Sequence, residues 1–148
     1  MTERVSSSRA QRPVFRNINA LQDLPTYRLP IAGIVSILHR ISGAIMFLLM
    51  PFVIWMFDTS ISSEYSFAKF ARVFNAGVGA VPGWFFKLVA LAIIWSFLHH
   101  FVAGIRYLVM DLSHSLVTKQ FGRSSAQVTL AISLPLTLAL ALKLFGVY

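Results

Sequence analysis

Three long stretches of the chain, residues 41–57, 88–105 and 124–142, contain no Asp, Glu, Lys or Arg. Each is close to the roughly 20 apolar residues that a helix needs to cross the hydrocarbon core of a bilayer, so the pattern predicts three transmembrane helices. The first extends backward: residues 29–57 are interrupted by a single charge, Arg40, and Pro30 stands where a helix start tolerates proline. Arg40 then lies inside the helix. Residues 58–83 read as a loop that ends in a turn-rich segment, 77–83, with Pro82. Beyond it, Trp84, Phe85 and Phe86 form an aromatic group suited to the membrane interface. The third stretch carries Pro135 in mid-span, where a kink is expected. The predicted fold is all-α, an integral membrane protein with three transmembrane helices at about residues 30–57, 84–110 and 125–147. These make a transmembrane domain over 29–148, preceded by a basic arm over 1–28 that only partners would order. No internal repeat or second domain is visible.

Composition strengthens this reading. Of the 148 residues, 57% are hydrophobic and 12% charged, against about 45–50% and about 25% in soluble domains. Five acidic residues leave too little polar surface to cover a soluble body. With no cysteine, the chain makes no disulfide and offers no thiolate to a metal or iron–sulfur cluster, so histidine or oxygen must hold any metal. The net charge of +8 is positional, because six of the thirteen basic residues are arginines between Arg4 and Arg40. That bias follows the positive-inside rule and places the N-terminus inside and the C-terminus outside. Nucleic acid is a poor second explanation, since no basic face recurs elsewhere. The first fifteen residues lack the apolar core of a signal peptide; their Arg and Ser resemble a mitochondrial transit peptide, but Glu3 and the shortness of the segment argue against one. A bacterial inner membrane is expected, with the mitochondrial inner membrane as the alternative.

The informative anomalies are ionisable groups inside the apolar stretches, where a mid-bilayer charge costs at least about 2.5–3.5 kcal/mol and is therefore usually paired or functional. On the first helix Ser36, His39, Arg40 and Gly43 lie at spacings of three and four, so Ser36 and Arg40 share a face with His39 beside it. On the second helix His100, Gly104, Tyr107 and Asp111 share one face, and His99, Ala103 and Arg106 the adjoining one. Both clusters fall toward the inside ends of their helices and can meet. A neutral imidazole between membrane helices suits the iron of a haem, and Gly104 would let a flat macrocycle approach the backbone. A membrane histidine can equally be an interhelical hydrogen-bonding group. That plainer role suits His99 better, because its ring points about 100° away from that of His100. His114 lies beyond the span and reads as a solvated loop residue. Arg40, with a hydroxyl one turn before it, offers fixed donors for a haem propionate or a quinone carbonyl, or else snorkels to the interface. Arg106 and Asp111 read as end charges that pair with each other.

Three segments carry a resemblance: RPVFRNI at 12–18, YRLPIAGIVSILHRISG at 27–43 and HHFVAGIRYLVMD at 99–111. They resemble the cytochrome b membrane-anchor subunits of succinate dehydrogenase, the respiratory succinate:quinone oxidoreductase, and the resemblance covers nearly the whole chain. The S-x-x-H-R-x-S-G core of the second segment is specific, and the third follows about 60 residues later in the expected order. The resemblance implies that His100, four residues before the glycine of G-I-R, is an axial ligand of haem b. It also implies that Ser36 and Arg40 contact ubiquinone, and that His39 and Arg40 lie near the haem propionates, with Arg106 in support. The family commonly has histidine after G-I-R where this chain has Tyr107, so that residue's role does not transfer, although its phenol can donate a hydrogen bond. Implied partners are a flavoprotein with FAD, an iron–sulfur protein and a second small anchor supplying the other haem histidine, within the membrane lipid. No catalytic nucleophile or acid–base pair is expected in this chain. The alternatives are a fumarate reductase anchor and, in another class, a haem-free structural anchor or small transporter subunit whose histidines merely join helices.

Overall fold

A computed structural model describes residue 19, residues 21–23 and residues 26–147. The arginines at 4, 9, 12 and 16, the segment 12–18 and both chain ends lie outside these residues, as does the side chain of His114. Among the described residues five α-helices follow one another: α1 Ile31–Leu48, α2 Met50–Ile61, α3 Glu64–Asn75, α4 Gly83–Leu112 and α5 Lys119–Leu144, with a 3-10 turn, His114–Leu116, before α5. Helices α1, α4 and α5 are long and apolar enough to cross a membrane, matching the three expected spans.

The first span differs from the single helix expected over 30–57. It is α1 followed by α2, broken at Leu49, whose ψ of 5° departs from helix two residues before Pro51. Pro51 has no N–H to give the carbonyl of Phe47, and its ring crowds that carbonyl. The ladder resumes at once, with Val53 N–H donating to the Leu49 carbonyl at 3.0 Å, and the apolar rod continues to Ile61.

Residues 58–83 are likewise more than a loop. Ser63 and Ser66 cap α3 reciprocally, Ser66 N–H donating to Ser63 Oγ at 3.1 Å and Ser63 N–H to Ser66 Oγ at 2.9 Å. Phe67, Phe70, Ala71 and Phe74 recur at helical spacing, and the Phe70 ring lies 4.9 Å from Phe74 and 6.3 Å from Trp55 of α2. Helix α3 therefore folds back on α2 and α4. The chain then reverses at Gly77, whose φ of 90° suits glycine alone, through a tight pairing of Val78 with Val81. Helix α5 starts at Lys119, six residues earlier than expected, because Thr118 Oγ1 accepts the Phe121 N–H. It runs through Pro135 and ends where Gly146, at φ 76°, closes a Schellman turn, with Val147 N–H donating to the Leu142 carbonyl at 2.9 Å.

Helix α4 packs against both α1 and α5, which also touch each other. The seam is built from Val35, Ala103 and Ala126, flanked by Ile31, Ala32 and Leu130. Such small residues let helix backbones approach closely where lipid removes any hydrophobic drive between helices. The bundle is apolar outside and polar within: Ser42, Ser96, His99, Arg106, Thr129 and Ser133 are buried, while Phe47, Phe97, Phe101, Leu108 and Leu138 are more than half exposed. Those outer faces fit lipid or partner chains.

Candidate functional site

The site is built where α1 crosses α4. On α1, positions 36, 39, 40 and 43 advance by three or four residues and form one stripe; on α4, positions 100, 104 and 107 do the same. The structure brings His39, Gly43, His100, Gly104 and Tyr107 together. The rings of His39 and His100 stack, with centroids 4.0 Å apart and planes 14° apart, and Tyr107 lies tilted 5.1 Å from His39.

His100 is held from one side only. Its Nδ1 lies 3.0 Å from the His39 carbonyl and 3.3 Å from Ser42 Oγ. The Ser42 hydroxyl donates to that same carbonyl at 2.8 Å, so its oxygen is left to accept. The carbonyl has no proton to give, so Nδ1 must carry one, and in the neutral ring that Nδ1–H tautomer leaves the Nε2 lone pair free. Nε2 has no hydrogen-bond partner among the described residues and, unlike His39 Nε2, is not shut away from the surface. A backbone carbonyl on the far nitrogen is how a metal-binding imidazole is ordinarily oriented. The close approach depends on Gly43: a Cβ there would stand 3.0 Å from His100 Cε1 and 3.3 Å from Nδ1. Neither Ser42 nor this need for glycine was read from the sequence, although both lie in its S-x-x-H-R-x-S-G segment.

Around this pair lie unsatisfied polar groups. His39 Nε2 is buried without a partner, and a Cβ at Gly104 would come within 3.8 Å of it. Gly104 thus faces His39 in the structure. Ser36 is half-buried and Arg40 exposed, and neither makes a hydrogen bond or ion pair with another described residue. Both are available to a ligand on the α1 stripe.

The other two expected residues sit elsewhere. His99 is fully buried, stacked 5.6 Å from Trp95, with Nδ1 3.3 Å from Ser133 Oγ of α5. Arg106 is not beside His39 and His100, and it makes no pair with Asp111. Its Nε donates to Ser125 Oγ at 2.9 Å and its Nη2 to the Gly122 carbonyl at 3.3 Å, both on α5. Six residues of helix carry position 106 about 240° around from position 100, which turns it away from the face that carries His100.

The succinate dehydrogenase/fumarate reductase transmembrane subunit family matches residues 9–140. The chain is 34% identical to the succinate dehydrogenase cytochrome b556 subunit of Coxiella burnetii over 84% of its own length and 89% of that protein's. It is 30% identical to the subunit of the same name from Paracoccus denitrificans, over 69% and 73% of the two lengths. The succinate dehydrogenase cytochrome b560 subunit of Reclinomonas americana is also 30% identical, over 63% of each chain. The chain belongs to the succinate dehydrogenase/fumarate reductase transmembrane subunit family, as a membrane anchor similar to the succinate dehydrogenase cytochrome b subunits.

Proposed function

We propose that this membrane anchor binds haem b together with a second small anchor subunit and helps form the site where ubiquinone is reduced with electrons from succinate. The observation that carries the haem assignment is the pair of acceptors at His100 Nδ1, the His39 carbonyl and Ser42 Oγ, which in the neutral ring leave Nε2 as the nitrogen donor. His100 Nε2 would give the haem iron one protein nitrogen ligand, and the second anchor subunit would supply the other. The family names support the same group, since the relatives are called cytochrome b556 and b560 subunits. The haem, when bound, supplies a reversible one-electron carrier. Arg40, exposed on the α1 stripe, is the donor this chain offers to its propionates, with His39, stacked on His100, beside it.

The quinone reading rests on Ser36 and Arg40, one turn apart and with no side-chain hydrogen bond or ion pair among the described residues. A hydroxyl and a guanidinium together can grip a carbonyl oxygen and polarise it. Reducing a quinone to a quinol takes two electrons and two protons, so the site needs water. With the N-terminus inside, Ser36 lies within one turn and a half of the start of α1 at the inside surface. Electrons come from partner subunits, a flavoprotein and an iron–sulfur protein, docked at that end, with a bacterial plasma membrane as the setting. A reduced-minus-oxidised spectrum of the purified complex, with succinate-dependent ubiquinone reduction by the same preparation, tests this. A b-type band and quinol formation are expected. A complex that lacks haem and soluble subunits would instead be a structural anchor, and one that works only from quinol to fumarate would be a fumarate reductase.

A further inference from the structure

Away from the stacked His39 and His100, a cavity of about 880 Å³ opens between the start of α1, the end of α4 and the start of α5. Ile31, Ile34, Met110 and Val117 give it apolar walls, and Arg106, Lys119 and Arg123 place three cations on it, with no acidic residue in the lining. Arg106 is 8% exposed, its hydrogen bonds go only to neutral oxygens, and its Nη1 is buried without a partner. The Tyr107 ring lies 4.9 Å from its guanidinium carbon, but no carboxylate among the described residues pairs with it, and a buried guanidinium without a counter-charge is costly. Lys119 and Arg123 compound the problem, because they stand in the opening turns of α5, where the helix dipole already disfavours positive charge and no acid offsets it. An apolar groove of about 460 Å³ lined by Val102, Ile105, Val109 and Val128 runs along α4 and α5 on another flank of Arg106.

We propose that this cavity binds an anionic phospholipid, its phosphate drawn to Lys119, Arg123 and the field of Arg106, and its acyl chains lying along the apolar walls. Charge selects the headgroup and the groove selects the tails. A basic segment of this chain would meet repulsion there, and a zwitterionic lipid would bring a cation of its own.

Native mass spectrometry of the assembled complex with added phosphatidylglycerol or phosphatidylcholine tests the site. Lys119 and Arg123 are exposed and contribute no side-chain hydrogen bond, so the double variant K119Q/R123Q should assemble. At about one Boltzmann factor of fivefold per basic residue, its affinity for phosphatidylglycerol should fall on the order of 25-fold, with phosphatidylcholine weak in both proteins. Equal retention of the two lipids by the parent overturns the proposal, as does unchanged phosphatidylglycerol binding by the variant. Displacement of the lipid by inorganic phosphate would make this a free-anion site and overturn the lipid assignment. Loss of soluble subunits from the variant without any change in bound lipid would point to an acidic protein partner and overturn it equally.

Discussion

Replacing Gly43 by alanine is the smallest perturbation that reaches His100 without touching it. The added Cβ would lie 3.0 Å from Cε1, and ordinary contact begins at about 3.4 Å, so the ring must retreat by about 0.4 Å. Retreat from α1 stretches the 3.0 Å Nδ1 contact with the His39 carbonyl toward the limit at which a hydrogen bond still counts. Loss of that bond removes about 1 kcal/mol, and overpacking of this kind costs about 1–3 kcal/mol in total. Expressed as haem retention, that is a weakening of roughly 5- to 150-fold. Alanine in place of glycine also favours the helix itself by about 1 kcal/mol, so the complex should still assemble. The assay is haem content per assembled complex, with the position of the reduced b-type band. Gly43→Ala at parental haem content and with an unshifted band would refute the argument that this glycine seats His100.

Ser36→Ala and Arg40→Leu should leave assembly and succinate oxidation by artificial acceptors largely intact while lowering ubiquinone reduction. The arginine change should be the more severe, because a charge-assisted contact is worth about twice a neutral one; parental quinone reduction by both variants would remove the quinone role. Three spans require Met1 and Tyr148 to lie on opposite sides of the membrane, and the positive-inside rule predicts that Met1 is on the inside. Protease access or reporter fusions placing both ends on one side would contradict that topology.

How much was legible depended on whether hydropathy or packing decided the outcome. The three spans follow from runs of uncharged residues, and the meeting of residues 36–43 with residues 100–107 follows from helical spacing. Pro51 was as visible as Pro30 and Pro135, yet the uninterrupted apolar run around it masked the break at Leu49. Helix α3 was hidden because its Phe67, Phe70 and Phe74 stripe is diluted by Lys69 and Arg72, so the segment looks polar on average although one face is aromatic. Arg106 was misjudged for a different reason. Asp111, the acid nearest it in the chain, does not pair with it; besides the Tyr107 ring beneath its guanidinium, the partners that hold it, Ser125 and the Gly122 carbonyl, come from α5. Only the docking of that helix reveals them. The tautomer of His100 was likewise out of reach, since it is set by a backbone carbonyl and by a serine 58 residues away in sequence.

The central claim, that His100 offers its Nε2 to haem iron while His99 joins helices, is tested most directly by comparing His100→Leu with His99→Leu in the assembled complex by reduced-minus-oxidised and low-temperature spectroscopy. His100→Leu should abolish or strongly alter the low-spin b-type signal, even if some haem is retained through a neighbouring ligand. His99→Leu, which removes a contact with Ser133, should perturb the signal less. The opposite ranking, with the low-spin signal intact in His100→Leu and lost in His99→Leu, would contradict the account.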